Sequence, residues 1–310
     1  MSGELEALII GPGAMGCLHA ALMAEAGLEV ALLDYRAERA ARIAERGIIV
    51  EEDGEKRTVP IVCGVDPSTM GSAQYGIIFV KAYDTVEAVT RAVPALRDDA
   101  SMLTLQNGIG NYERISEIIP PARVLAGTTT TGATLLGDGH VRVAGRGSVQ
   151  FGSPKGNPRR VRATEALLAR GGIEHETTIA VDDVLWAKAI VNAAINPLTA
   201  LTGLRNGMLV EHDELRELMR AVVREAATVA RACGIFVRED IGMMVESICG
   251  ATAENRSSML QDVTAGKRTE IDFINGEIAR RAEEREREAP ICRLLTSLIH
   301  GREQAGLTET

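Results

Sequence analysis

Two sets of residues in this chain have types and spacing suited to chemistry. The first is Gly11-Pro12-Gly13-Ala14-Met15-Gly16, a Gly-x-Gly-x-x-Gly pattern. In a dinucleotide fingerprint the first glycine makes a tight turn, the second lets a pyrophosphate approach the backbone, and the third lets helix and strand pack closely. Phosphate oxygens would then meet the N–H groups and positive dipole end of the helix that starts there. Asp34, 23 positions after Gly11, ends the next apolar stretch. A carboxylate there accepts hydrogen bonds from ribose hydroxyls and repels a 2′-phosphate, which favours NADH; otherwise it is an ordinary strand-end turn residue. Arg36, two residues on, would lie over the adenine or neutralise a 2′-phosphate, which favours NADPH. The second set is Lys188, Asn192 and Asn196, spaced i, i+4, i+8 among Ile190, Val191, Ala193, Ala194 and Ile195. On a helix each step drifts by about 40°, so the three form one polar stripe on an apolar element. Taken alone, such a stripe also fits an asparagine bonded to a neighbouring carbonyl and a lysine reaching for solvent.

The surrounding pattern supplies elements to hold these groups. Ala7 to Ile10 reads as a strand, the glycine turn follows, then an alanine-rich helix to about Ala26 and a strand from Glu29 to Leu33. A helix from Ala37 to Arg46 closes on Gly47. Tyr75 to Val80, Ala100 to Leu105 and Arg123 to Thr130 are further strands, with a helix from Thr85 to about Leu96. Alternation of this kind predicts an α/β fold with a doubly wound, Rossmann-type parallel sheet. Leu135 to Gly152, with Val141, Val143, Val149 and Phe151 alternating, predicts an antiparallel hairpin. After a further helix and strand the pattern turns helical from Val181 onward, with breaks near Gly203 to Gly207, Gly234, Gly250 and Gly266. The expected division is a dinucleotide-binding domain over 1–180 and an all-helical C-terminal domain, carrying substrate and catalysis, over 181–310.

Composition narrows the function. Over 310 residues, 34 Lys plus Arg against 43 Asp plus Glu give a net charge of −9, which repels a nucleic-acid backbone. Aromatic residues make up 3%, too few for a base-stacking platform or an aromatic-anchored interface. A small ligand is expected. Cys17, Cys63, Cys233, Cys249 and Cys292 are odd in number and form no Cys-x-x-Cys, which suits idle thiols in a reducing cytoplasm. No metal site is expected, because the five histidines make no i, i+4 pair. Glu4 and Glu6 occupy the place of a signal peptide's cationic stretch, and no apolar run approaches the roughly 18 residues of a membrane span. The alternating charges of Arg280 to Glu288 read as a solvated helix face.

The chain resembles the ketopantoate reductase family over nearly its whole length. The resemblance is carried by Gly11-Pro12-Gly13-Ala14-Met15-Gly16, Val80-Lys81-Ala82, Gln106-Asn107-Gly108, Gly127-Thr128-Thr129-Thr130, Trp186-Ala187-Lys188 with Asn192 and Asn196-Pro197-Leu198-Thr199-Ala200, and Ser257-Ser258-Met259-Leu260-Gln261-Asp262 leading to Thr269-Glu270-Ile271-Asp272. It implies a Rossmann domain joined to a helical domain, and reduction of 2-dehydropantoate to pantoate by NADPH or NADH, on the route to pantothenate and coenzyme A. Members that prefer NADPH commonly carry a basic residue directly after the second strand, where this chain has Asp34 and Tyr35. Thr131-Gly132 stands where the family often has a bulkier residue.

Ketone reduction needs a proton donor where negative charge grows on the carbonyl oxygen, and Lys188 is the candidate general acid. Burial would lower its pKa while charge on Glu270 would oppose that shift. By resemblance Asn192, Asn196, Asn206, Asn255 and Ser258 hold the substrate's carboxylate and far hydroxyl, alongside Lys188. The family pattern also sets Lys81, Asn107 and Ala133 along the nicotinamide half of the cofactor and Glu270 near its ribose. Two other readings stand beside this one: reduction of another small keto acid, or a non-catalytic dinucleotide-binding redox sensor. The alanine- and leucine-rich helices also have material for a homodimer.

Overall fold

A computed structural model describes residues 4–308. The chain divides into two compact units, one of residues 1–106 and 111–181, the other of 107–110 and 182–310.

The first unit is built on an eight-stranded sheet whose strands lie in the order β12-β11-β8-β7-β6-β1-β2-β5. These are β1 (Glu4–Ile10), β2 (Val30–Leu33), β5 (Val62–Gly64), β6 (Ser72–Ile78), β7 (Leu96–Thr104), β8 (Val124–Thr129), β11 (Val149–Gly152) and β12 (His175–Thr177). All neighbours run parallel except β11 against β8. Strands of a parallel sheet are covered on both faces, so they read as near-continuous apolar runs. In β1, Ala7 and Ile9 enter one core with Leu32, Ile77 and Phe151, while Leu5, Leu8 and Ile10 enter the other with Ala31, Ile78 and Val89. The covering helices are α1 (Ala14–Glu25), α2 (Ala37–Arg46), α3 (Thr85–Ala92), α4 (Asn111–Ser116) and α5 (Pro158–Arg170). Helix α3 stops short of Leu96 because Pro94 follows, and Val93–Ala95 tightens into a 3-10 turn.

A second, four-stranded sheet has the order β4-β3-β10-β9, from β3 (Ile48–Glu52), β4 (Glu55–Val59), β9 (Gly132–Gly137) and β10 (His140–Gly145). The antiparallel hairpin is therefore β9 with β10, shorter and earlier than Leu135 to Gly152. Val149 and Phe151 belong instead to β11 in the main sheet, paired with Thr129 and Gly127. Strands β3 and β4 turn through Asp53 and Gly54, at φ 51° and 84°, the left-handed pair that closes a tight hairpin.

The second unit is helical: α6 (Val181–Thr202, whose first residue belongs to the other unit), α7 (Met208–Glu211), α8 (Asp213–Ala232), α9 (Ile241–Ala251), α10 (Ser258–Thr264), α11 (Asn275–Glu284) and α12 (Pro290–Thr308). Its core runs along α6 through Ala189, Ile190, Ala193, Ala194 and Leu198 and is joined by Val222, Val245, Ile278 and Ile299. Helix α6 has the length and apolar composition of a membrane span. Lys188, Asn192 and Asn196 hide this in a search for unbroken apolar runs. Its apolar residues are spent on the core of this unit.

Candidate functional site

In the first unit the expected cofactor residues gather at the carboxyl ends of the parallel strands. Ile10 of β1 pairs with Leu33 of β2 and Ile78 of β6, and Ile78 pairs with Thr104 of β7. Gly11, Asp34, Lys81 and Gln106 therefore leave the sheet along one edge. Strand order reverses between β1 and β6, the switch point where open α/β sheets bind ligands. Gly11 sits there at φ +104°, with a Cβ position only 2.8 Å from the backbone nitrogen of Val80. Gly16 lies on α1 against Gly11, leaving no room for a methyl group. Gly13, by contrast, has no protein atom within 4 Å of its Cβ position, and no side chain caps the α1 N-terminus that follows it. Open backbone beside an uncapped helix start fits a pyrophosphate. Pro12 is buried, and Ala14 and Met15 are half-buried, in the same turn.

Lys81 caps the 3-10 turn Ala82–Asp84, and a fully engaged Gln106 braces that corner. Its Nε2 donates to the Val80 carbonyl at 2.9 Å and to Thr85 Oγ1 at 2.8 Å, while its Oε1 accepts from Thr104. Ala133 lies in β9, half-buried and paired with Val143.

Asp34 is buried, and its carboxylate is already committed. It accepts from the backbone N–H of Tyr35 at 2.7 Å and of Arg36 at 3.1 Å, and from Arg39 Nε at 2.6 Å. A second Arg39 nitrogen completes the fork, and the guanidinium also lies over the Tyr35 ring, 5.3 Å from its centre. Arg36 is exposed and makes no side-chain bond to Asp34 among the hydrogen bonds described. Arg39, one turn into α2, was not among the expected site residues. Its fork across five residues depends on the corner between β2 and α2, which spacing alone does not reveal.

The second unit assembles the catalytic candidates. Lys188 and Asn192 are half-buried on α6, and Asn196 is buried. Burial lowers the Lys188 ammonium from 10.5 to about 8, against the opposing pull of the Glu270 carboxylate. Glu270 is itself buried and accepts from Asn107 Nδ2 at 3.4 Å. The loop carrying Asn107 is anchored by Ile109, whose N–H donates to the Phe273 carbonyl at 3.0 Å. Gly108, at φ +84°, permits that approach, because a Cβ there would stand 2.3 Å from the same oxygen.

Asn206 and Asn255 come together through backbone, Asn206 N–H donating to the Asn255 carbonyl at 3.1 Å. The Asn206 side chain donates to Thr252 Oγ1 at 2.9 Å, while its Oδ1 is buried without a hydrogen-bond partner. Asn255 and Ser258 are exposed. Ser257, not Ser258, is the buried member of its pair: it caps α10 by accepting from the Leu260 N–H at 3.1 Å, and it bonds Thr199 Oγ1 at 2.7 Å. Thr199 also reaches back to the Asn196 carbonyl at 2.9 Å, so the start of α10 is pinned beside the polar stripe of α6. The signal for Ser257 lay in the sequence as an N-cap serine ahead of Met259 and Leu260.

The family profile described as ketopantoate reductase PanE/ApbA matches residues 7–156, and that of its C-terminal domain matches residues 180–303. A 2-dehydropantoate 2-reductase of Halobacterium salinarum is 36% identical over 297 residues, covering 95% of this chain and 98% of the relative. One from Pyrococcus horikoshii is 37% identical over 305 residues, covering 96% and 97%. Among solved structures, a PanE/ApbA family ketopantoate reductase from Ralstonia eutropha superposes with a TM-score of 0.88 at 32% identity, covering 98% of this chain and all of that one. The ternary structure of D-mandelate dehydrogenase with NADH and anilino(oxo)acetate superposes with a TM-score of 0.92 at 26% identity, over 97% and 99% of the two chains.

Proposed function

The chain belongs to the ketopantoate reductase PanE/ApbA family, and from that membership we propose that it reduces 2-dehydropantoate to pantoate at the expense of NADPH or NADH. The observation that carries this reading is Lys188, a half-buried lysine whose pKa falls to about 8, placed on one helix face with Asn192 and Asn196 and opposed by Glu270. A nicotinamide held by residues 1–180 supplies the hydride when bound. Gly11, Gly13 and Gly16 with the α1 N-terminus would take its pyrophosphate, and Lys81 and Ala133 its nicotinamide half. Residues 181–310 supply the rest. Lys188 Nζ gives its proton to the ketone oxygen as that atom gains negative charge, and Glu270 keeps the ammonium charged enough to have one. Asn192, Asn196, Asn255 and Ser258 offer neutral donors to the substrate's carboxylate. Five thiols outside any disulfide suit an enzyme of the reducing cytoplasm.

The partnerless Oδ1 of Asn206 fits the hydroxyl of the substrate, since a buried acceptor without a donor costs about 1–3 kcal/mol until it finds one. Asn206→Ala is expected to raise KM for 2-dehydropantoate about tenfold and to leave KM for the analogue lacking that hydroxyl nearly unchanged. Equal rises for both would remove Asn206 from this role.

The Asp34–Arg39 fork bears on cofactor choice. With its carboxylate tied to the Arg39 guanidinium, Asp34 repels a 2′-phosphate far less, which leaves the exposed Arg36 as the cation to meet that phosphate. NADPH is the expected cofactor. Arg39→Ala should release Asp34 and lower the ratio of kcat/KM for NADPH over NADH by about tenfold or more; an unmoved ratio means the fork serves the corner alone.

The deciding assay is initial-rate oxidation of NADPH and NADH with 2-dehydropantoate, with phenylglyoxylate and pyruvate as competitors. Turnover selective for 2-dehydropantoate supports the proposal. Selective turnover of phenylglyoxylate would support the second reading, a dehydrogenase of other 2-hydroxy acids, which the TM-score of 0.92 to D-mandelate dehydrogenase favours.

A further inference from the structure

Pro197 lies inside α6, four residues after Ala193. A proline has no N–H to offer the carbonyl four residues back, so the Ala193 oxygen loses its helical partner in the middle of the polar stripe, between Lys188 and Asn196. That oxygen is taken up from elsewhere. Asn275, the first residue of α11 and fully buried, donates from Nδ2 to the Ala193 carbonyl at 3.1 Å, across 82 residues of sequence. The orientation of this amide is fixed by chemistry, because the flipped amide would set two oxygens face to face. Its Oδ1 accordingly points away and has no hydrogen-bond partner.

Asn275 closes a six-residue segment that begins at Glu270. That segment has other ties within the same unit: Glu270 faces Lys188 and accepts from Asn107 Nδ2, the Phe273 carbonyl accepts from the Ile109 N–H at 3.0 Å, and Asp272 bonds His300 Nε2 at 2.8 Å. Glu270 and the Asn107 loop therefore both hang from residues 270–275 or are fastened to them. The Asn275 amide is the hydrogen bond described between this segment and the α6 backbone.

We propose that Asn275 is a positioning residue of the reductase: its side-chain amide clamps the carbonyl that Pro197 frees on α6 and so sets the Glu270–Phe273 segment against the Lys188–Asn196 stripe. The pair acts as one device. Proline supplies an acceptor that an uninterrupted helix would have consumed, and the asparagine uses it to fix an element distant in sequence. The proposal rests on the reading of Lys188 as proton donor.

The test separates the clamp from the carbonyl that it satisfies. Asn275→Ala should lower kcat for 2-dehydropantoate by about 10- to 100-fold and leave KM for NADPH within about threefold. Asn275→Asp, of the same size but with an acceptor facing an acceptor, should fall at least as far. In the double variant Pro197→Ala/Asn275→Ala an N–H at position 197 again serves the Ala193 carbonyl, so the fold is kept even where the single variant does not fold, but the segment stays unclamped and kcat should remain about 10- to 100-fold below wild type. A second readout needs no turnover: the pH dependence of Lys188 acetylation, followed by mass spectrometry. Its midpoint, set by burial and by Glu270, should move in Asn275→Ala and stay moved in the double variant. A double variant restored to wild-type rate and labelling, or a single variant matching wild type in both, overturns the clamp. A wild-type chain that leaves 2-dehydropantoate unreduced while the labelling midpoints move as stated would sink the substrate reading and leave the clamp standing.

Discussion

Lys188→Ala is expected to cut turnover of 2-dehydropantoate by about 10³-fold while the Kd for NADPH stays within about threefold of wild type. The size follows from what the residue does. A proton placed on the oxygen as hydride reaches carbon contributes about 10²- to 10⁴-fold, and neither Asn192 nor Asn196 can give one up. The nucleotide turn belongs to the other compact unit, so its affinity has no reason to follow. The pH profile carries the sign. Lysine donates only when protonated, and its pKa of about 8 lies below the ordinary 10.5 because burial penalises the charge. Reduction should hold level below about pH 8 and fall roughly tenfold per unit above it. Lys188→Arg should be slow at every pH, since a guanidinium with a pKa above about 12 does not release its proton. A Lys188→Ala enzyme that still turns over at a tenth of the wild-type rate would remove the lysine from the chemistry and place the proton donor elsewhere.

What the sequence disclosed divides along a physical line. Gly11 to Gly16, Asp34 and the α6 stripe were legible because their meaning is local: a turn that needs glycine, a strand end, a helical period. The two-sided burial of β1 was legible for the same reason. Strand β11 was misread as half of a hairpin because its partner is set by the main sheet, and alternation in Val149 and Phe151 does not say which sheet they join. Strands β3 and β4 escaped notice because Glu55, Lys56 and Arg57 give β4 a charged face, although Asp53-Gly54 was a turn signal in plain view. Arg39 and Asn275 lay deeper still. Each acts on a partner set by tertiary structure, and only a proline inside an apolar helix hinted that a carbonyl there would need a donor.

The three glycines of the nucleotide turn allow folding and binding to be separated by single methyl groups. In Gly16→Ala the new carbon would lie 1.9 Å from the Gly11 carbonyl oxygen, a backbone atom held by the sheet edge. Helix α1 must shift away from β1, at a cost of about 3 kcal/mol or more, which lowers Tm by roughly 6–12 °C for a unit of this size. The shift also carries the α1 N-terminus off the pyrophosphate, so the Kd for NADPH should rise by about 100-fold or more. Gly13→Ala makes the opposite demand. Its methyl group meets no protein atom within 4 Å, and its backbone is extended at φ −73°, which any residue adopts. Tm should stay within about 2 °C of wild type, yet the methyl would occupy the space kept open for the phosphates, and NADPH binding should weaken about tenfold or more. Calorimetry of both variants, with NADPH titrated into each, checks the pair. If Gly13→Ala binds NADPH as wild type does, the open side of that glycine is not where the pyrophosphate lies, and the placement of the cofactor at the β1–β6 switch point fails with it.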